Sequence, residues 1–230
     1  MVDDETLADS AVVANSAMNR ERQLAGPNSY TRDLGFNPLD RLEPPHGKAW
    51  LDLCCGQGRA LLQAGAALAA RGADVALVGV DLVDYFDAGP RNGVTLVCAP
   101  VARWEPDRRF DLITVVHGLH YIGDKLDLLV RAASWLTDAG LLVADLDLTS
   151  VRDADTGKPL GRPLTNWLRQ HGFAYDARRR RITCEGRREP DDLPYAYQGA
   201  DDRAGPNYTG QPAVHSFYRP AMPKKSLTFR

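Results

Sequence analysis

Short apolar runs alternate with amphipathic stretches between residues 48 and 148. The apolar runs are nearly continuous, which is typical of strands buried on both faces of a parallel sheet. Five strands are predicted: Lys48–Cys55, Asp74–Asp81, Gly93–Ala99, Phe110–Val116 and Leu141–Leu148. Two helices with apolar residues at helical spacing are predicted: Arg59–Ala70 and Asp124–Leu136. This order predicts an α/β fold, a doubly wound, Rossmann-like, mostly parallel sheet with helices on both faces.

The flanking residues have a different pattern. A helix over Ala8–Leu24 and a short segment over Tyr30–Leu34 predict an N-terminal helical cap at residues 1–45. After Ser150 the chain is more polar and predicts a helix over Thr165–His171 and strands over Leu193–Gln198 and Ala213–Tyr218. If these last two strands close the sheet, its last strand is antiparallel. The predicted division is the cap, one domain at 46–220 with halves 46–150 and 151–220, and a tail at 221–230.

Composition and charge exclude several classes of partner. The 230 residues, 44% of them hydrophobic, are enough for one sizeable core. The net charge of −2 and the scattered arginines give no electrostatic footprint for nucleic acid. The run Arg178–Arg181 is expected to be a solvated strand or hairpin. The N-terminus is acidic and no stretch approaches the roughly 18 apolar residues of a membrane span, so a cytoplasmic protein without a membrane partner is expected.

The cysteines and paired aspartates do not indicate a metal site. Cys54, Cys55, Cys98 and Cys184 lack the spacing of zinc ligands and are expected to be free thiols. Asp145 and Asp147 alternate along one predicted strand. No metal is expected at this pair.

A glycine-rich bend, Asp52-Leu53-Cys54-Cys55-Gly56-Gln57-Gly58, follows the first predicted strand. Gly56 and Gly58 allow a sharp turn and a close approach of a ligand to the backbone. The free N–H groups of the next helix favour an accepting ligand group. A dinucleotide fingerprint would have a third glycine where Leu61 stands, so nicotinamide or flavin binding is the less favoured interpretation.

This bend resembles the first motif of class I S-adenosylmethionine-dependent methyltransferases, Asp/Glu-x-Gly-x-Gly-x-Gly. Cys54 stands at the first glycine, where a small side chain is expected to fit if φ is negative. The resemblance covers about residues 48–148. It extends to Asp81, Phe110-Asp111-Leu112-Ile113, Leu119-His120-Tyr121-Ile122 and Leu136-x-x-x-Gly140. It implies S-adenosylmethionine as the cofactor.

The resemblance also implies a role for each matching position. Asp52 would hold the methionyl ammonium, directly or through water, Asp81 would accept both ribose hydroxyls, and Leu82 would lie against the adenine. Backbone around Pro100 and Val101 would bind the adenine edge. The predicted cofactor-binding residues are Asp52, Leu53, Cys54, Gly56, Gly58, Asp81, Leu82, Pro100, Val101 and His117.

Methyl transfer from a sulfonium is an in-line displacement, and a base is needed only if the nucleophile must lose a proton. His117, just beyond the fourth strand, is the predicted general base, and His120 is the second catalytic candidate. The predicted substrate contacts are Tyr30, Tyr121, Asn207 and Tyr208.

The expected function is methyl transfer to an oxygen or nitrogen of a small metabolite, with a layout resembling natural-product methyltransferases. The Asn/Asp-Pro-Pro-Tyr signature of amino-directed nucleic-acid methyltransferases is absent after the fourth strand, where Val115-Val116-His117-Gly118 stands. Three alternatives stay open: a protein or RNA methyltransferase, a non-catalytic S-adenosylmethionine binder, and a nucleotide-dependent oxidoreductase. A monomer or homodimer is expected.

Overall fold

The computed structural model describes residues 1–10, 21–189 and 193–221. The strands are β1 (His46–Leu53), β2 (Asp74–Asp81), β3 (Val94–Cys98), β4 (Phe110–Val115), β5 (Leu136–Asp145), β6 (Val151–Asp153), β7 (Phe173–Asp176), β8 (Arg181–Glu185), β9 (Tyr195–Asp201) and β10 (His215–Pro220). The α-helices are α1 (Asp4–Ala8), α2 (Tyr30–Leu34), α3 (Arg59–Ala69), α4 (Lys125–Ser134) and α5 (Arg162–Gln170). Short 3-10 helices span Pro38–Leu42, Gly118–Tyr121 and Leu148–Ser150.

The strands form a seven-stranded sheet in the order β3-β2-β1-β4-β5-β8-β7 and a three-stranded sheet in the order β6-β10-β9. In the larger sheet, β1 to β5 pair in parallel, and β8 runs antiparallel to both of its neighbours. The predicted α/β fold with a mostly parallel, Rossmann-like sheet is confirmed. All five predicted strands are present, although β5 begins at Leu136, because Leu136 already pairs with Phe110 ahead of a register shift.

The strands that close the larger sheet differ from those expected. The segments near 193–198 and 213–218 are strands and pair antiparallel, as β9 and β10, but they do so in the smaller sheet. The closing strands are β7 and β8, and residues 177–180 form the turn between them. Ile182 and Cys184 face the main core from β8. Their short alternating pattern is obscured by the arginine run, which forms the expected hairpin.

Alternation along β1 explains why the central strands are apolar on both faces. Leu51 and Leu53 belong to the core cluster that includes α4 and α5, whereas Trp50 belongs to the cluster that includes α2 and α3. Successive side chains of a strand point to opposite faces, so a central strand covered on both sides has no polar face. The two clusters therefore place helices on both faces of the sheet.

The N-terminal residues contribute two short helices. Asp3 caps α1 by accepting a hydrogen bond from the Thr6 amide, and Ser29 caps α2 by accepting one from Arg32. The segment predicted at Tyr30–Leu34 is confirmed as α2. Most of the helix predicted over Ala8–Leu24 lies outside the described residues, as do residues 222–230 of the predicted tail. No helix in the described part of the chain is long and apolar enough to cross a membrane.

A fully buried lysine joins the smaller sheet to the start of α4. The Lys125 ammonium donates to the carbonyls of Ile122 (2.8 Å) and Val214 (2.9 Å) and to the Ser216 hydroxyl (2.6 Å). Desolvation lowers the pKa of Lys125 to about 7. Close beside it, the Tyr218 hydroxyl donates to Asp124 at 3.0 Å. These bonds hold the segment that follows β4 against β10.

Replacing Lys125 by Met is expected to destabilise the fold by about 2–3 kcal/mol, because three buried acceptors lose their donor. Urea denaturation measures this as a lower transition midpoint. The exposed Lys158→Met variant is the control and should leave the midpoint unchanged. Equal midpoints for the two variants would contradict the anchoring role.

Candidate active site

A cavity lies where the parallel strands end. The loops after β1, β2, β3 and β4 surround about 810 Å³ of empty space, part of it open to solvent, and α1 covers one side. Ligands of open α/β sheets bind at this edge, beyond the carboxyl ends of the strands. Seven of the ten predicted cofactor-binding residues line the cavity: Cys54, Gly56, Asp81, Leu82, Pro100, Val101 and His117.

The bend after β1 requires left-handed backbone at three positions. Cys54 has φ of 60°, Gly56 of 59° and Gly58 of 72°. The condition set for a side chain at this position, a negative φ, is not met at Cys54, and a side chain in this conformation costs of the order of 1–2 kcal/mol. Gly118 makes room for it, since a Cβ there would lie 2.8 Å from the Cys54 sulfur. Gly58 begins α3 and does not line the cavity.

The cysteine pair is a packing feature of this bend. All four cysteines are free. Burial raises the pKa of the Cys54 and Cys55 thiols well above their ordinary value, so both are neutral. Cys55 packs near Gly79, on the side away from the cavity. Neither thiol therefore has the character of a reactive nucleophile.

Asp81 connects the bend to the end of β2 and faces the cavity. Its Oδ2 accepts a hydrogen bond from the Gly56 amide at 2.8 Å, and its Oδ1 accepts one from the Val83 amide at 3.2 Å. Each oxygen of a carboxylate can accept more than one hydrogen bond. Leu82 and Val101 give the neighbouring wall an apolar surface. This wall suits a sugar with an attached planar ring.

Asp52 lies inside the protein and does not line the cavity. It is 1% exposed. The Thr114 hydroxyl donates to its Oδ1 at 2.6 Å, and the Tyr30 hydroxyl donates to its Oδ2 at 2.7 Å. The Trp50 indole in turn donates to Thr114. Direct contact of Asp52 with a cofactor ammonium is not supported by this placement, and neither is the predicted contact of Tyr30 with substrate.

These hydrogen bonds give Asp52 and Tyr30 a structural task. Tyr30 is the first residue of α2, and Asp52 lies near the end of β1, so their bond fixes the cap to the centre of the sheet. Leu53, also predicted to contact the cofactor, is fully buried in the core. Its position just before the bend leaves only an indirect role in shaping the cavity.

His117 lies between the cap and β5, and it borders the cavity. Its backbone, with φ of 59°, donates from the amide to Asp145 Oδ2 at 3.1 Å. Its Nε2 is 3.7 Å from Asp33 Oδ2 and 3.8 Å from Asp145 Oδ2. Two carboxylates, Asp33 and Asp145, therefore approach the same ring nitrogen of His117.

His120 is poorly suited to the catalytic role predicted for it. It is 1% exposed, and burial, reinforced by His117 and Lys125, lowers its pKa to about 3. So weak a base removes a proton inefficiently near neutral pH. His120 lines a second cavity with Asn207 and Tyr208, whereas Tyr121 lines the first. Three of the four predicted substrate residues are thus divided between two cavities, and Tyr30 lines neither.

Some cavity residues were not indicated by the sequence pattern. Asp4, Leu7 and Ala8 of α1 cover the first cavity, and the Tyr197 hydroxyl donates to Asp4 at 2.9 Å. Asp3, a residue type that favours the N-cap position of a helix, was a local sign that α1 begins here. Nothing in the local sequence indicates that a five-residue helix lies over the edge of a sheet.

The aspartates near the end of β5 have separate partners. Asp145 accepts from the His117 amide, whereas Asp147 accepts from Thr149 and pairs with Arg180 at 3.4 Å. Within the residues the structure describes, no group of three or more His, Cys, Asp or Glu side chains is arranged to hold a metal ion.

Comparison with known families identifies the class of protein. A family model described as "Methyltransferase domain" matches residues 28–181, more than half of the chain. The chain therefore belongs to this family. Its mostly parallel α/β sheet, with a cavity at the carboxyl ends of the strands, is the fold of this methyltransferase domain. No curated protein matches the chain.

Several solved structures are similar to the chain. Phosphoethanolamine N-methyltransferase 2 of Haemonchus contortus, solved with phosphomonomethylethanolamine and S-adenosylhomocysteine, is 18% identical at a TM-score of 0.45, over 74% of this chain and 40% of that one. Coclaurine N-methyltransferase, bound to N-methylheliamine and S-adenosylhomocysteine, is 19% identical at a TM-score of 0.41, over 61% of this chain and 47% of that one. The plantazolicin methyltransferase BpumL, solved with S-adenosylhomocysteine, is 18% identical at a TM-score of 0.36, over 45% of this chain and 40% of that one. The chain spans less than half the length of each.

The buried Asp52 predicts a pH dependence of stability. Burial raises its pKa from 3.8 to about 7, although Thr114 and Tyr30 act to lower it. The folded state therefore holds a proton that the unfolded chain releases near pH 4. The stabilisation is complete below pH 4 and is lost as the pH rises through about 7.

Asp52→Asn is expected to remove this slope. Between pH 4 and pH 8 the wild type should lose of the order of 2–4 kcal/mol more unfolding free energy than the variant. Urea denaturation at several pH values measures the difference. Parallel pH profiles for the two proteins would show that Asp52 does not titrate in this range.

Proposed function

We propose that the protein transfers a methyl group from S-adenosylmethionine to an oxygen or nitrogen atom of a small metabolite, and that the cofactor lies in the cavity at the ends of β1 to β4. The observation that carries this proposal is the placement of Asp81. Its carboxylate lines the cavity and is held by the Gly56 amide, at the edge where ligands of open α/β sheets bind.

The residues around Asp81 fit the parts of this cofactor. Asp81 accepts the two ribose hydroxyls, and Leu82 and Val101 lie against the adenine. Backbone at Cys54 and Gly56 approaches the amino-acid end, where the left-handed turn leaves main chain facing the cavity. When bound, S-adenosylmethionine supplies the electrophilic methyl group and a neutral leaving group.

His117 is the proposed general base for an acceptor that must lose a proton. It borders the cavity, and the carboxylates of Asp33 and Asp145 lie within 4 Å of its Nε2. Tyr121 lines the same cavity and supplies an aromatic and hydroxyl surface for the acceptor. Helix α1 covers one side and limits the access of water, which favours displacement by the held acceptor. We also propose that residues 1–45 act as a cap and that residues 46–220 form the catalytic domain.

The arginine run supports a small acceptor over protein or RNA. Arg181 donates to the carbonyls of Asp33 and Leu34, and Arg180 pairs with Asp147. Arg179 lies 3.6 Å from Asp176 on the same hairpin. Asp147 and Asp176 interrupt the positive charge of this run, which is therefore not the continuous basic groove that a polyanion would need. A cytoplasmic location, natural-product metabolism and a monomeric or homodimeric state stay predictions.

Replacing Asp81 by Asn should weaken the binding of S-adenosylhomocysteine about tenfold or more, because an amide accepts from the ribose at one atom only. Isothermal titration calorimetry measures the affinity. Asp84→Asn, at an exposed position three residues away, is the control and should bind as the wild type does. Wild-type binding of NADH in place of S-adenosylhomocysteine would contradict the proposal.

His117→Gln should lower turnover at least about tenfold while leaving the affinity for S-adenosylhomocysteine within about twofold. Glutamine retains a polar side chain but does not accept a proton. Once an acceptor has been found, its methylation rate measures turnover. Calorimetric titration with S-adenosylhomocysteine measures the affinity. Unchanged turnover would remove His117 from the role of base.

A further inference from the structure

A second cavity lies on the other side of the short segment that follows β4. The residues His117, Gly118 and Tyr121 of this segment border the first cavity, whereas His120 borders the second. The second cavity encloses about 680 Å³ of empty space, part of it open to solvent. Its other walls come from the loop before β10, the residues after β5 and the β7–β8 hairpin.

His120 presents an unsatisfied polar atom to this cavity. The side chain is 1% exposed, and its Nε2 has no hydrogen-bond partner in the described part of the protein. The Tyr208 ring meets it edge to face, with 5.4 Å between centroids. A buried ring nitrogen without a partner costs free energy that a ligand would recover.

Asn207 presents a second unsatisfied atom. Its Oδ1 accepts from both the amide and the hydroxyl of Thr209, at 2.7 Å and 2.5 Å. These two donors fix the orientation of the amide, so the group left over is the Nδ2 donor. That nitrogen is buried and has no partner among the described residues. Asn207 therefore offers N–H groups to the same cavity as His120.

Arg180 supplies a cation to the same wall. Its guanidinium lies over the Tyr208 ring at 4.2 Å and pairs with Asp147 Oδ2 at 3.4 Å. The other Asp147 oxygen already accepts from the amide and hydroxyl of Thr149. A guanidinium has five N–H donors, so this one long ion pair leaves donors for a further acceptor.

We propose that the second cavity binds the carboxylate group of a small molecule through Arg180, Asn207 and His120. A carboxylate is acceptor-only and matches the fork of an arginine. Neutral His120 donates from Nε2, and Asn207 donates from Nδ2. The nearby negative charge of Asp147 disfavours a doubly charged phosphate.

Titrations followed by NMR test this directly. The side-chain amide of Asn207 and the ring nitrogens of His120 are observed in the ¹⁵N-labelled full chain, with assignments from Asn207→Ala and His120→Gln. Sodium benzoate is the probe, benzamide is its uncharged counterpart, and inorganic phosphate is the competing anion. Benzoate should shift both sets of resonances and bind at least about tenfold more tightly than either of the others.

Variants on the hairpin supply the matched comparison. Arg180→Gln should weaken benzoate binding at least about tenfold, and Asn207→Ala, which leaves the Arg180 ion pair intact, should also weaken it. Arg178→Gln, at an exposed position of the same turn, should bind benzoate as the wild type does. Equal binding by the Arg180 and Arg178 variants, unshifted resonances, or a preference for phosphate or benzamide would overturn the proposal.

Parallel titrations with S-adenosylhomocysteine separate this inference from the proposed function. If S-adenosylhomocysteine binds and benzoate does not, the carboxylate site is wrong and the proposed function stands. If benzoate binds and S-adenosylhomocysteine does not, the site stands and the proposed function is wrong.

Discussion

Parallel pairing of β3, β2, β1, β4 and β5 brings the carboxyl ends of five strands to one edge of the sheet. Everything attached to those ends is then held within reach of a common ligand. The bend after β1 meets Asp81 at the end of β2, and His117 follows β4 on the other side. The hydrogen bond from the Gly56 amide to Asp81 joins two of these strand ends directly, because Gly56 follows β1 and Asp81 ends β2.

Conformational strain is concentrated at the same edge. Four described residues other than glycine have positive φ: Cys54, Asn92, His117 and Arg180. Cys54 and His117 border the first cavity, and Arg180 borders the second. Such backbone persists only where its surroundings hold it, and it is commonly found at binding sites. Here the supports are visible as Gly118 beside Cys54 and Asp145 on the His117 amide.

The parallel sheet and its ligand edge could be predicted because burial on both faces and glycine spacing are local properties of the sequence. The closing strands could not, since Ile182 and Cys184 follow an arginine run that hides their alternation. Asp52 and Asp81 have similar local settings, and only the fold separates them. Tyr30 and Thr114 are distant in sequence and occupy the carboxylate of Asp52, whereas Asp81 reaches the cavity. The second cavity depends on side chains from four segments that are distant in sequence, and no local pattern indicates it.

The central claim is that Asp81 and the bend after β1 together hold the cofactor. A crystal structure of the protein with S-adenosylhomocysteine tests it most directly. We expect both ribose hydroxyls to donate to the Asp81 carboxylate and the adenine to pack between Leu82 and Val101. The amino-acid end should lie beside Cys54 and Gly56. A ligand bound elsewhere, or an adenosine that leaves Asp81 without a contact, would contradict it.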